Sequence, residues 1–310
     1  MIVRTSLAAM ALACSLVLAC STRHVQRSDE RFDAIVRAPA FRGNGPHLLF
    51  DDAHRNFHRS DGRYTPFVTL VANDGVVVTS NTKAFDEESL KPYDLLVIAN
   101  AEGEITGAPA FTEAEIDAVV QWVGDGGSLL LVADHSPFGR AANALAERFG
   151  VTMLDAHLKD ETHSDPTLPG PFFLLFSEAN GLLGDHPILR GRTDAERIRR
   201  VVTFGGQALR VQPPAHLLLP LSQDAQIVRD RTQPNVSEPA GPDTACAVAL
   251  THGRGRVVII GEASALTAQI ITGDTAKAAG VPELRIGMSR EGIDNKQFAL
   301  NIVRWLAREI

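Results

Sequence analysis

The chain has 310 residues, 45% of them apolar and 22% charged, with a formal net charge of -7 and three cysteines. An acidic balance with no basic run beyond the ERIRR stretch at 196–200 excludes nucleic acid as an expected partner. The cysteines build no disulfide framework, because Cys14 falls in the amino-terminal leader, Cys20 is expected to be acylated, and Cys246 stands alone in an apolar stretch, a buried free thiol.

Residues 1–6 carry one positive charge, Arg4, and an apolar run follows to Ala19. That run falls short of the about 20 residues a permanent membrane helix needs, so residues 1–19 form a signal peptide. Val17, Leu18, Ala19 and Cys20 resemble the lipobox of bacterial lipoproteins, in which the cysteine is acylated and becomes the first residue. Leu18 stands where smaller residues are commoner, which leaves cleavage by ordinary signal peptidase as the alternative. The expected product is exported and held by its lipid on a bacterial membrane, facing the periplasm or the cell exterior. Each buried CH₂ of the lipid contributes about 0.8 kcal/mol. Residues 20–45 are polar and read as the lipidated terminus and a flexible tether, and residues 46–310 as one α/β domain.

In that domain HLLFD at 47–51 is the first strand. TPFVTLVANDG has helical spacing and stops at Gly75, and the β-branched VVVTS follows. DLLVIANA is a third strand. Thr112 with Glu115 three positions on is a capping box, and Ile116, Val119, Val120 and Val123 line one face of the helix it opens. SLLLVADHS is a strand so continuously apolar that helices must cover both its faces. Residues 155–200, rich in Pro, Gly, Asp and His, read as loops with short elements; Asp160, Glu161, His163 and Asp165 there read as solvated charge. RVVTF, HLLLPL, TACAVAL and RVVIIGE are further strands, the last two joined by a hairpin turn at HGRGR. Phe298, Ile302, Trp305 and Leu306 mark a terminal amphipathic helix. The fold class is therefore α/β: a doubly wound, mostly parallel sheet with a partly antiparallel carboxyl-terminal extension.

The segments LLFDDAHRNFHRSDGRYTPF, SLLLVADHSPFG, DHPILRG, GEASALTAQ and NKQFALNIVRWL together resemble the proteins with a class I glutamine-amidotransferase-like domain. That group is related to ABC-transporter auxiliary, gliding-motility and trehalose-utilisation-type domains. The resemblance implies a flavodoxin-like sheet. Amidotransferases of this kind carry a cysteine nucleophile on a strand-to-helix elbow, where this chain has Asp134, His135 and Ser136. Glutamine hydrolysis by that mechanism is not expected.

Parallel sheets place sites beyond the carboxyl ends of their strands. There the sequence gathers Asp51, His54, His58, Asp134 and His135 as candidate ligands of a divalent zinc, manganese or iron ion, with Asp52 or Glu262 as general base and Asn56, Asn100 and Ser136 as ligand-binding groups. Each has a plainer role available: an Asx turn for Asp51, loop hydrogen bonds for His54 and His58, a helix cap for Glu262. Two readings stay open. One is a metal-dependent hydrolase of an extracytoplasmic small molecule or sugar derivative; the other is a noncatalytic module, tethered to the membrane, that holds a ligand or partner. No protein partner is identifiable from the sequence.

Overall fold

The computed structural model describes residues 25–43 and 45–310. The signal peptide and Cys20 lie outside the described residues. The central sheet is built from β1 (His47–Asp51), β2 (Val77–Asn81), β3 (Leu95–Ala99), β4 (Ser128–Val132), β5 (Val151–Met153), β6 (Leu209–Val211), β7 (His216–Pro220), β8 (Thr244–His252) and β9 (Gly255–Ile260). Its order is β2-β1-β3-β4-β9-β8-β6-β5, with β7 paired to β8. The first five are mutually parallel and the remainder antiparallel. The parallel part has flavodoxin order, with its switch point between β1 and β3.

Alternation along each strand makes both faces of the sheet apolar. Leu48, Phe50, Leu95, Val97, Leu130 and Val132 join one core, whose helical side comes from α1 (Thr65–Asn73) and α4 (Asn295–Leu306). Leu49, Leu96, Ile98, Leu129 and Leu131 join the other, under α2 (Glu113–Gly124) and α3 (Phe138–Glu147). A strand residue points away from both its neighbours, so a continuous apolar run feeds both cores. The expected capping box is formed: Thr112 Oγ1 accepts the Glu115 amide at 3.3 Å, and the Glu115 carboxylate accepts the Thr112 amide at 2.9 Å. The expected hairpin is there too, with His252 opposite Gly255.

Two expectations need correcting. The tether is not free over its length, since Val25–Ser28 pairs antiparallel with Ala268–Thr272, which in turn pairs with Leu284–Gly287. Beyond it Phe32, Ala34, Val36 and Phe41 pack on the main core, so residues 25–43 form a docked strap. The backbone oxygen of Phe41 lies where a Cβ on Gly75 would be, 2.2 Å away, which is why the first helix ends on a glycine at φ +100°. Second, Asp160 and Asp165 are not solvated but buried. Asp160 accepts the amides of Thr162 and His163 and the Nδ1 of His163, and Asp165 accepts the Thr167 amide and faces Arg200, so each organises its own loop.

Candidate functional site

The carboxyl ends of neighbouring strands set Asn81, Asp51, Asn100, Asp134 and Glu262 side by side. Register fixes the last two: Val132 is level with Ile260, so Asp134 and Glu262, each two residues further, emerge together from adjacent parallel strands. Around this edge the polar residues fall into three groups.

In the first, His54 is clamped between two acids. Its Nδ1 lies 2.9 Å from both oxygens of Asp51 and its Nε2 lies 2.8 Å from Glu115 Oε1, with the rings of Phe85 and Phe111 packed against it at 4.6 and 4.8 Å. Burial disfavours charge on the ring, but the hydrogen bonds and charges of Asp51 and Glu115 outweigh it, and the pKa is raised. Both ring nitrogens face carboxylate oxygens, an arrangement that favours the protonated ring and leaves neither nitrogen turned towards an open position. Asn56 completes this group, donating to Asp51 Oδ2 at 3.0 Å while its oxygen accepts the His54 amide. Asp52 turns away from it. Its carboxylate accepts the Ser60 amide and the hydroxyls of Ser60 and Ser80, closing the loop back onto β2.

The second group is buried beneath the edge. Glu262, fully buried, caps the turn at Ser264–Leu266 by accepting the amides of Ser264 and Ala265 at 2.6 and 2.7 Å. Burial raises its pKa and the charge of Asp134 raises it further; Asp134 is likewise raised by burial. Each carboxyl therefore keeps its proton to higher pH than an exposed one would. Tyr64, beside them, donates to the Ala263 carbonyl at 2.9 Å, and His58 packs against the Tyr64 ring at 5.2 Å. His58 is neutral, its pKa pushed down to about 3 by burial and by Arg63, and its buried Nδ1 has no partner.

The third group faces outward. His135, with Nδ1 3.0 Å from the Ser136 carbonyl, packs against the tilted ring of His157 at 4.0 Å between ring centroids. Burial and the positive charge of Arg231 lower both pKa values, that of His157 to about 4. The Nδ1 of His157 is buried without a partner. Arg231 lies over the Phe172 ring at 4.7 Å and makes no ion pair or hydrogen bond among the described residues. Ser136 is exposed beside them.

Two residues hold this edge in place. Asn100, at φ +49°, accepts the Asp134 amide on its side chain and the Phe57 amide on its carbonyl. Gln207, fully buried, donates to the carbonyls of Ala133 and Asp134 while its oxygen accepts the Asp155 amide. A non-glycine residue in the left-handed region at a switch point is strain held by its surroundings.

Among the described residues no three His, Cys, Asp or Glu side chains form a group that could hold a metal ion. The expected set is instead divided: Asp51 and His54 in the clamp, His58 and Asp134 beneath the edge, His135 at the surface. The donors do not fit a shared ion. Sequence reasoning did not assign Glu115 beyond its capping role and missed Tyr64, His157, Gln207 and Arg231. The signal for Glu115 was present only as a cap, and nothing local announces a partner 61 residues from His54.

No family model and no curated protein matches the chain. Among solved structures it is similar to the mmIFT52 N-terminal domain, at 14% identity and a TM-score of 0.56 over 84% of this chain and 96% of that one. That likeness is one of fold. A cytoplasmic protein from Salmonella typhimurium (13% identity, 84% and 98% covered, TM-score 0.48) and a thua-like protein from Bacteroides uniformis (13%, 87% and 93%, 0.44) also match.

Proposed function

We propose that the chain is an exported, lipid-tethered binding module that holds a small anionic ligand at the carboxyl edge of its sheet. The observation that carries this reading is the contrast between engaged and free polar groups. Asp51, His54 and Asn56 satisfy one another and Asp52 is engaged by Ser60 and Ser80, whereas the neighbouring cluster offers a buried imidazole nitrogen on His157 and a guanidinium on Arg231 unpaired among the described residues. Buried polar groups without partners are rare, and a ligand is one way to satisfy them. A guanidinium beside two neutral imidazoles favours a carboxylate or phosphate. Lipidation at Cys20 supplies the tether.

Thermal-shift measurements with simple carboxylates, sugar phosphates, Zn²⁺ and Mn²⁺ test this. An anion should stabilise the protein and the effect should vanish in Arg231→Ala and His157→Ala. Stoichiometric Zn²⁺ or Mn²⁺ binding that is lost in His135→Ala would replace this reading with the metal-dependent hydrolase. Mass spectrometry of the mature protein should find an acylated residue 20; a free amino terminus elsewhere would remove the tether.

A further inference from the structure

Away from that edge, the strap and α4 enclose a cavity of about 750 Å³ whose walls carry Arg37, Arg42, Arg192, Lys296 and Arg304 against only Glu196 and Asp294. The two acids are already engaged. Glu196 accepts Arg192, and its Oε1 also lies 3.0 Å from Arg304 Nη1. Asp294 accepts the backbone amides of Arg199 and Arg200. Asp74 holds the other arms of Arg304 at 2.8 Å each, but the buried Nη1, in a residue only 1% exposed, has no hydrogen-bond partner despite its nearness to Glu196. Arg37 and Arg42 make no ion pair or hydrogen bond among the described residues. Lys296 donates to the carbonyls of Asp33 and Ile35, and its pKa is lowered by burial, with Asp33 opposing and Arg37 adding to the effect. Gathered positive charge of this kind calls for an anion, and guanidinium groups match a phosphate in particular.

The chain outside the described residues says where that phosphate comes from. Five residue steps lead from Cys20 to Val25, a reach of at most about 18 Å. An acylated Cys20 would therefore hold the strap close to the bilayer surface. Ile35, on the wall of the cavity, is 68% exposed, and Val25, at the end of the strap nearest Cys20 in sequence, is 42% exposed. A basic cluster with scattered apolar contacts next to a lipid anchor has the chemistry of a membrane-facing surface.

We propose that the cavity between the strap and the terminal helix seats the phosphate of an anionic phospholipid in the membrane that anchors Cys20. This rests on the tethering reading for its membrane, but the cavity can be tested without the anchor. The mature chain carrying Cys20→Ser, which cannot be acylated, is floated with phosphatidylcholine vesicles with and without phosphatidylglycerol. Binding should require phosphatidylglycerol and weaken about fivefold for each of Arg37→Ala and Arg42→Ala. Arg148→Ala, at the end of α3 on the other face of the sheet from α4, should leave it unchanged. Equal losses in all three variants would mean net charge alone and overturn the proposal, as would binding indifferent to phosphatidylglycerol. Protection by inorganic phosphate with no vesicle binding would reassign the cavity to a soluble anion. Vesicle binding as expected, with no acyl group on Cys20 of the wild-type protein, would instead sink the tether and keep the site.

Discussion

His54 is the side chain on which the loop after β1 depends. Removing it in His54→Ala leaves the fully buried Asp51 without its countercharge, and an uncompensated buried charge costs about 3–5 kcal/mol. Urea unfolding should show a loss of that order. The pH dependence has a definite sign. The folded pKa of His54 lies above its unfolded value near 6.5, so its stabilisation is complete below that value and is lost as pH rises through the folded one. The wild type should weaken more steeply across that window than His54→Gln, in which this contribution is absent. The Asp134–Glu262 pair contributes a second slope of the same direction from a different origin. Its raised pKa values mean that the folded protein keeps a proton which unfolded carboxyls lose near pH 4, so stability falls as pH climbs from there towards the folded values. Asp134→Asn removes one of the two carboxyls and should flatten that fall, on the order of 1 kcal/mol or more at alkaline pH, as read by unfolding at a series of pH values. The sequence revealed the residue types at this edge but not their pairings. Histidines and acids beyond strand ends were visible as candidates; that Asp51 and Glu115 both close on one imidazole depends on loop paths that no spacing rule encodes.

The capping box at the start of α2 joins an ordinary helix start to the clamp, because Glu115 serves both. Thr112→Ala should cost about 1 kcal/mol, the usual loss for a cap. Glu115→Ala should cost more, and a double-mutant cycle with His54→Ala should show a coupling above about 0.5 kcal/mol, as contacting residues do. A coupling near zero would mean that the Nε2 contact contributes nothing. On the opposite flank, Gly206→Ala would place a Cβ 2.5 Å from that of Glu262 and 2.3 Å from the Gly261 carbonyl, so the variant should lose stability and shift the titration of the carboxyl pair together. Elements with strong periodicity were legible in advance: the parallel strands through their unbroken apolar runs, α2 through its cap, α4 through its stripe. The strap was not, because Phe32, Ala34 and Val36 alternate for only three steps among charged residues and look like linker.

In the molecule as a whole, the sheet order follows from a simple economy of burial, with each apolar strand covered on both sides and the antiparallel strands continuing from β9. What the sequence could not give is that the late strand β9 inserts beside β4 and so completes the edge with Glu262, since residues 200–262 contain several apolar strands of similar character. The strap has a mechanical consequence. Were Cys20 fixed in a bilayer as proposed, tension on the protein would enter through Val25 opposite Thr272, the outermost of the four residue pairs in that ladder. These would peel one after another before the central sheet felt the load. Released, residues 25–43 could pay out to roughly 60–70 Å, turning a close-docked domain into one on a long leash.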